Sequence, residues 1–204
     1  MDRRKLSVLC VSVLALALSA GSGYGSGELD EEGLLQISGD YRVVITQTCV
    51  RTPYQPPPAA GFDPNTRQLL MDGEMLTAIG SGLMRFAEDG TVQVLEGVQT
   101  EMSLDQLAPG KSPIAPPAQF TCSGNYTIQD RKVAFSLSCD VVVPQPGVKV
   151  TVGPQNFEGY IDRRKRSLNL TNIAGGIQTV AVSIAGTPMQ ERHRICTQHA
   201  LAIQ

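Results

Sequence analysis

The segment from Cys122 to Val143 constrains the fold of this chain more than any other part of the sequence. Apolar residues alternate with polar ones along both of its halves, and the polar run 129–132 separates the halves. This period of two is typical of antiparallel strands with one buried face, so the segment predicts a β-hairpin. A symmetric hairpin sets apolar residues opposite one another and brings Cys122 opposite Cys139.

The first 23 residues have the pattern of a targeting segment. Three basic residues at 3–5 precede an apolar run at 6–18, and small residues follow at 19–23. This order is typical of a secretory signal peptide, which is removed on export. The apolar run is too short to span a bilayer, which takes about 20 residues, and we see no other segment that predicts a membrane span. We therefore predict export to the periplasm or to the extracellular space.

Four cysteines lie outside the predicted signal peptide, and an even number in an exported chain favours disulfides. In the hairpin register, Cys122 and Cys139 are directly opposed, with Cβ atoms about 4.5–5.5 Å apart, near disulfide reach. A slip of one residue would move every apolar side chain to the other face. We predict a Cys122–Cys139 bond and, by elimination, a Cys49–Cys196 bond.

Other parts of the chain show the same alternation. Ile161 faces Leu168 across a basic run of four residues, which forms the predicted turn. An Asp-Gly pair between two alternating runs is typical of a tight hairpin turn and here predicts that Phe86 pairs with Val92. Further strands are predicted over 41–50, 149–152, 177–184 and 193–203.

Seven to nine antiparallel strands in about 180 residues predict an all-β fold, either an up-and-down barrel of about eight strands or a β-sandwich. The predicted Cys49–Cys196 bond favours the barrel, because the first and last strands are neighbours there. We expect a flexible N-terminal segment over 24–38 and a single barrel domain over 39–204. Prolines cluster between the strands, which predicts long loops, since proline breaks a ladder. In one loop, Asp63 as a cap predicts a short helix through Met71.

Two short stretches near the ends of the chain resemble lipocalins and related calycins. Gly39-Asp40-Tyr41 opens the first strand and is similar to the Gly-x-Trp that opens the barrel in that family, with Tyr in place of Trp. In the family an arginine on the last strand packs over this ring, and the resemblance implies Arg192 or Arg194 for that role. It also implies a closed barrel with an apolar cavity, and it implies no particular ligand.

Composition and spacing argue against several functions. Lys and Arg number 17 against 19 Asp and Glu, so the chain lacks the cationic excess of a nucleic-acid-binding protein. The cysteines lack the close C-x-x-C spacing of zinc or redox sites. His193 and His199 are about 20 Å apart if they lie on one strand, too far to share a metal ion. We therefore expect no cofactor and no metal site.

Two hypotheses about function come from different classes. The first is an exported, non-enzymatic barrel that binds a small apolar ligand or a protein partner. The second is an exported enzyme with a carboxylate-based site, for which no catalytic residue stands out; a structural or inhibitory module acting through its loops is a further alternative. The sequence favours the non-enzymatic functions. Six inward-facing residues would line a ligand cavity, or equally a filled core, since small barrels are often packed with side chains: Tyr41, Val43, Ile45, Tyr126, Phe135 and Leu137.

Overall fold

The computed structural model describes residues 37–103, 112–172 and 176–204; the predicted signal peptide and all but the last two residues of the predicted flexible segment lie outside these ranges. The described ranges form nine β-strands and contain no helix, hence none that could cross a membrane. The strands are β1 (Gly39–Arg51), β2 (Glu74–Phe86), β3 (Thr91–Ser103), β4 (Ala118–Gln129), β5 (Lys132–Val141), β6 (Val148–Ile161), β7 (Ser167–Asn172), β8 (Ile177–Ile184) and β9 (Thr187–Ile203).

All nine strands belong to one antiparallel sheet that closes on itself. Consecutive strands pair from β1 to β6, and β9 returns to pair with β1 from Arg42 opposite Ile203 to Arg51 opposite Arg194. Strands β7 and β8 lie end to end between β6 and β9, so the nine strands fill eight positions. The fold is a closed, eight-strand up-and-down barrel, as predicted, and the alternative of a sandwich is wrong because one continuous sheet closes.

The registers of the three predicted hairpins are confirmed. Each register is strongly specified, because a slip of one residue would expose the whole apolar set of the strand. Apolar residues therefore face one another as the alternation indicates. The rungs are Cys122 opposite Cys139, Phe86 opposite Val92, and Ile161 opposite Leu168.

Both predicted disulfides are present. Cys122–Cys139 joins β4 to β5, whereas Cys49–Cys196 joins β1 to β9 along the line where the barrel closes. The two cysteines are separated by 17 residues in the first bond and by 147 in the second. Because the loss of chain entropy grows with the length of the closed loop, the second bond restricts the unfolded chain more than the first.

One end of the barrel interior is filled by aromatic side chains, and we name it the aromatic end. Phe86 lies at its centre and makes edge-to-face contacts with the rings of Tyr41, Tyr126 and Phe135, at centroid distances of 5.6, 5.1 and 6.2 Å. All four residues are buried. Rings in this arrangement add a geometric preference to the free energy of burying their surface, so they fix this part of the core.

The segment before β1 seals the aromatic end. Ile37 precedes the predicted start of the barrel and is fully buried in the same cluster. The Tyr126 hydroxyl shares its one proton between the carbonyl oxygens of Ile37, at 2.6 Å, and Ala87, at 2.9 Å. The Tyr41 hydroxyl donates to the carbonyl oxygen of Lys165 at 2.6 Å. Each buried hydroxyl therefore ties a strand to a loop at this end while satisfying its own hydrogen-bonding need.

The loop between β1 and β2, residues 52–73, contains no helix, so the helix predicted to start at Asp63 is wrong. The Asp63 carboxylate does accept hydrogen bonds from the backbone N–H groups of Asn65 and Thr66, at 2.9 and 2.6 Å, as a helix cap would. Arg67 has a φ of 60°, which lies outside the right-handed helical region. The chain therefore makes one capped turn and continues as an extended loop.

Candidate functional site

A cavity of about 260 Å³ lies inside the barrel, toward the end opposite the aromatic cluster. We name this the arginine end after Arg51 and Arg194, which lie opposite each other in the β1–β9 pairing, and Arg192, which precedes Arg194 by two residues on β9. Small-molecule sites typically have volumes of about 300–1,000 Å³, and an apolar cavity of about 150 Å³ is enough to bind benzene. The space at the arginine end is therefore large enough for a small organic molecule.

The wall of the cavity is mostly apolar. Valine, isoleucine and leucine are the most numerous residues in it, and two phenylalanines, Phe120 and Phe157, also line it. The Cys122–Cys139 disulfide also faces this space. The apolar wall includes Ile45, Val94, Leu137, Val152, Phe157 and Val180.

The six residues predicted to line the interior divide between the two ends of the barrel. Ile45 and Leu137 line the cavity. The other four belong to the packed core at the aromatic end. They are Tyr41, Val43, Tyr126 and Phe135.

Four glutamines and Arg194, each less than a tenth exposed, form a hydrogen-bonded network on one side of the cavity. The Gln198 amide donates to the side-chain oxygens of Gln47, at 2.6 Å, and Gln155, at 3.0 Å. Gln178 donates to Gln198 at 3.3 Å, and Arg194 Nε donates to the side-chain oxygen of Gln178 at 2.8 Å. The cavity thus has a polar side as well as an apolar wall.

The period-two pattern of apolar residues does not predict these glutamines as site residues, although the sequence contains a signal for them. Gln47 occupies the inward position between Ile45 and Cys49, and Gln198 occupies an inward position on β9. Buried polar groups almost always have hydrogen-bond partners. Several polar residues at inward positions of neighbouring strands therefore indicate an interior network.

Arg194 is a buried cation without an anionic partner. Its residue is 6% exposed, and no ion pair within the described ranges includes it. Burial lowers the pKa of Arg194 to about 10, because the charged form loses hydration. A guanidinium with this pKa is still protonated at neutral pH. A positive charge therefore lines a mostly apolar cavity.

Neither arginine packs over Tyr41, so the role that the lipocalin resemblance implies for them is wrong. Arg194 lies opposite Arg51 in the β1–β9 register, at the other end of β1 from Tyr41. The Arg192 guanidinium lies over the ring of Tyr54, 4.3 Å from its centroid. Both arginines line the cavity instead.

Glu101, whose carboxylate lines the cavity, is already paired with an arginine. Arg51 forms ion pairs with Glu74, through Nε, and with Glu101, through Nη1 at 2.9 Å. Gln99 donates to the second oxygen of Glu101 at 3.1 Å. Among the described residues that line the cavity, Glu101 is the only carboxylate. The described part of the cavity therefore does not hold the two acidic groups that a carboxylate-based enzyme would use as acid and base.

Two donor groups in the cavity wall lack acceptors. Gln47 Nε2 and Arg192 Nε are buried, and neither has a hydrogen-bond partner in the part of the chain that the structure describes. Leaving a buried donor unsatisfied typically costs about 1–3 kcal/mol. These groups, like Arg194, would be satisfied by a hydrogen-bond acceptor inside the cavity.

Comparisons of the chain with known protein families, with curated proteins and with solved structures found no match. Within the described ranges, no group of three or more His, Cys, Asp or Glu side chains is placed to hold a metal ion. The function is therefore inferred from the cavity.

Proposed function

We propose that this protein is an exported, non-enzymatic barrel that binds a small apolar ligand in the cavity at the arginine end. The observation that carries this proposal is the cavity of about 260 Å³ inside the barrel. Protein interiors are normally close-packed, and atoms that line a void lose dispersion contacts on one side. An apolar ligand would restore those contacts and remove its own surface from water, and both effects favour binding.

Two features support export. The sequence at 1–23 has the order of a signal peptide, and the fold contains two disulfides, which form and persist in oxidising compartments. We propose a signal peptide over 1–23, a flexible segment that starts at residue 24 and ends before the buried Ile37, and a barrel domain over 39–204 against which Ile37 packs.

The intact mass of the full chain, expressed with its own leader and purified without reductant, tests the proposal of export. We expect a product that lacks about the first 23 residues and is four hydrogens lighter than its reduced form, because each disulfide removes two hydrogens. A mass that retains the leader and changes by no hydrogens on reduction would contradict export.

Ligand binding is tested with a neutral apolar probe that matches the size of the cavity, 1-naphthylamine, whose fluorescence emission shifts to shorter wavelength in an apolar environment. We expect saturable binding to one site of the unreduced protein. The informative variant is Val180→Phe, because Val180 lines the cavity and a ring at this position would occupy part of it. We expect its affinity for the probe to fall at least tenfold.

The matched control is Val44→Phe, which makes the same change on an outward position of β1 that is half exposed. We expect this variant to bind the probe within about twofold of the natural protein. Absence of saturable binding, or equal binding by Val180→Phe, would contradict a ligand site in the cavity. The long loops would then be the place to search for a protein partner.

A further inference from the structure

Arg194 carries information about the chemistry of the ligand. Buried charges in proteins are almost always paired, because an uncompensated charge loses its hydration without recovering the energy elsewhere. Within the described ranges, the hydrogen bond that Arg194 makes is to the neutral side chain of Gln178, and no carboxylate lies within ion-pair distance. The charge at the cavity wall is therefore stabilised at contact distance by a neutral amide oxygen, with Glu101 acting on it only from beyond ion-pair distance.

The neighbouring charges leave a positive balance at this end. Arg51 takes up both nearby carboxylates, Glu74 and Glu101. Arg192 stacks on the Tyr54 ring, which provides no formal negative charge. Burial is the largest cause that lowers the pKa of both Arg192 and Arg194, and the positive charge of Arg51 lowers each further. Glu101 offsets part of this effect at both residues. An added anion would offset this excess of positive charge.

The unsatisfied groups in the wall are donors. Gln47 Nε2 and Arg192 Nε have no acceptor among the described residues, and both residues line the same cavity as Arg194. Gln47 is 6% exposed, so bulk water has little access to its amide. A ligand that complements these donors carries oxygen acceptors, and a carboxylate supplies two oxygens with several lone pairs.

The rest of the cavity wall is mostly apolar and would complement an apolar part of the ligand. Leu137, Val152 and Phe157 belong to the wall, and the ring of Phe157 stacks on that of Phe135 in the packed core. An apolar cavity of about 150 Å³ is enough to bind benzene, so a cavity of about 260 Å³ accommodates roughly ten carbon-sized atoms. This volume suits a chain of about eight carbons rather than a long lipid.

We infer that the ligand is an amphipathic carboxylate of medium length, with its head group on Arg194 and its chain against the apolar wall. This inference rests on the proposed function, because it specifies the ligand class of the same cavity. The chain of the ligand would supply affinity through burial, and the head group would supply selectivity through a charge-assisted hydrogen bond.

The test compares octanoate with 1-octanol, which have the same chain length and differ in the charge of the head group. Isothermal titration calorimetry on the unreduced protein at pH 7.5 gives both affinities. We expect octanoate to bind about ten- to hundredfold more tightly than 1-octanol, the range that a hydrogen bond to a charged group supplies. Equal affinities would overturn the inference of a carboxylate ligand and leave the proposed function standing. If neither octanoate nor 1-octanol binds, both the carboxylate inference and the proposed function are overturned.

The variant Arg194→Met removes the charge and keeps much of the side-chain volume. We expect it to retain 1-octanol binding, which shows that the barrel is folded, and to lose most of the preference for octanoate. Arg85→Gln is the matched control, because Arg85 is an exposed arginine on β2 whose partner is Asp40. Loss of the preference in the Arg85→Gln variant, or its survival in Arg194→Met, would overturn the assignment to Arg194.

A second measurement does not depend on any variant. Octanoate labelled with ¹³C at the carboxyl carbon reports its own ionisation by NMR. A carboxylate beside a guanidinium has a lowered pKa, so we expect the bound signal to stay in the ionised form to lower pH than the free signal. A bound carboxyl that titrates at or above the free value would overturn the inference.

Discussion

The two ends of this barrel are built by the same strands and have opposite interiors. At the aromatic end, rings from β1, β2, β4 and β5 meet around Phe86, and Ile37 is buried among them. At the arginine end, short aliphatic side chains and buried glutamines surround a cavity of about 260 Å³. Alternation along a strand decides which residues face inward, and the length and polarity of those residues decide whether the interior is filled. One end is therefore a filled core, and the other encloses the cavity in which we propose that a ligand binds.

Removal of a disulfide has the largest expected effect on stability. Replacing Cys49 and Cys196 by alanine should lower the free energy of unfolding by about 5 kcal/mol, because the bond closes a loop of 147 residues at the arginine end. Replacing Cys122 and Cys139, which are separated by 17 residues, should lower it by about 3 kcal/mol. Urea denaturation without reductant measures both. Equal losses would show that loop length does not set the contribution of these bonds.

Truncating the central ring of the aromatic end should have the next largest effect. Phe86 is 2% exposed, and Phe86→Ala should lower the free energy of unfolding by about 3–5 kcal/mol through lost burial and the cavity left behind. Tyr160→Ala is the control, because Tyr160 is an aromatic residue of β6 that is 60% exposed. This change should alter stability by no more than about 0.5 kcal/mol. A loss below about 1.5 kcal/mol for Phe86→Ala would contradict a filled core at this end.

One substitution made at both ends compares them directly. Val92 is fully buried at the aromatic end, whereas Val180 is 4% exposed and lines the cavity. Val92→Ala should lower the free energy of unfolding by about 2–3 kcal/mol, because it creates a void in packed surroundings. Val180→Ala should cost only about 1 kcal/mol, because one side of Val180 already lacks neighbours. Similar losses in urea denaturation of the ligand-free protein would mean that the two interiors are equally packed.

The smallest expected effect concerns the β6–β7 turn at the aromatic end. The Asp162 carboxylate accepts backbone hydrogen bonds from Arg166 and Ser167 at 2.6 and 2.8 Å, and the hydrogen bond from Ser167 is the largest cause of its lowered pKa. A carboxyl whose pKa is lowered by folding stabilises the fold above its unfolded value of 3.8, and this contribution is lost as the pH falls through the folded value. The stability difference between the natural protein and Asp162→Ala should therefore shrink below about pH 3.8.

Thermal unfolding from pH 2 to pH 7 measures this difference. Glu88→Ala is the control, because Glu88 is exposed in the β2–β3 turn and accepts none of the hydrogen bonds that hold the β6–β7 turn. A difference that stays constant from neutral to acidic pH would show that the Asp162 carboxylate contributes nothing through its charge.

Local alternation predicts most of the fold. Pairing across a hairpin is fixed by residues close in sequence, which is why the register of Cys122 with Cys139 follows from the pattern alone. The closure of β1 on β9 follows from the cysteines that remain after that assignment. The helix predicted at Asp63 is wrong because the same cap begins a single turn as well as a helix, and Arg67 then leaves helical geometry.

The division of the interior into a filled end and a hollow end does not follow from alternation. Phe86 contacts the rings of Tyr41 and Tyr126, which are far from it in sequence. These contacts depend on how the three strands are shifted relative to one another along the barrel axis. Arg194 depends equally on its position along β9, which places it on the cavity. A pattern of period two specifies the face of a strand and not the level of a residue within a closed barrel.

Closure of the sheet by its first and last strands has a consequence for biosynthesis. The chain is made from its N-terminus, so β1 and β2 are synthesised long before the Thr187–Ile203 strand that covers the second edge of β1. Until that strand is made, the backbone N–H and C=O groups on this edge have no partner within the sheet, and such an edge is a template for pairing with another chain. Delay or truncation of β9 would therefore leave the edge of β1 open to pairing with another chain, which is a route to aggregation.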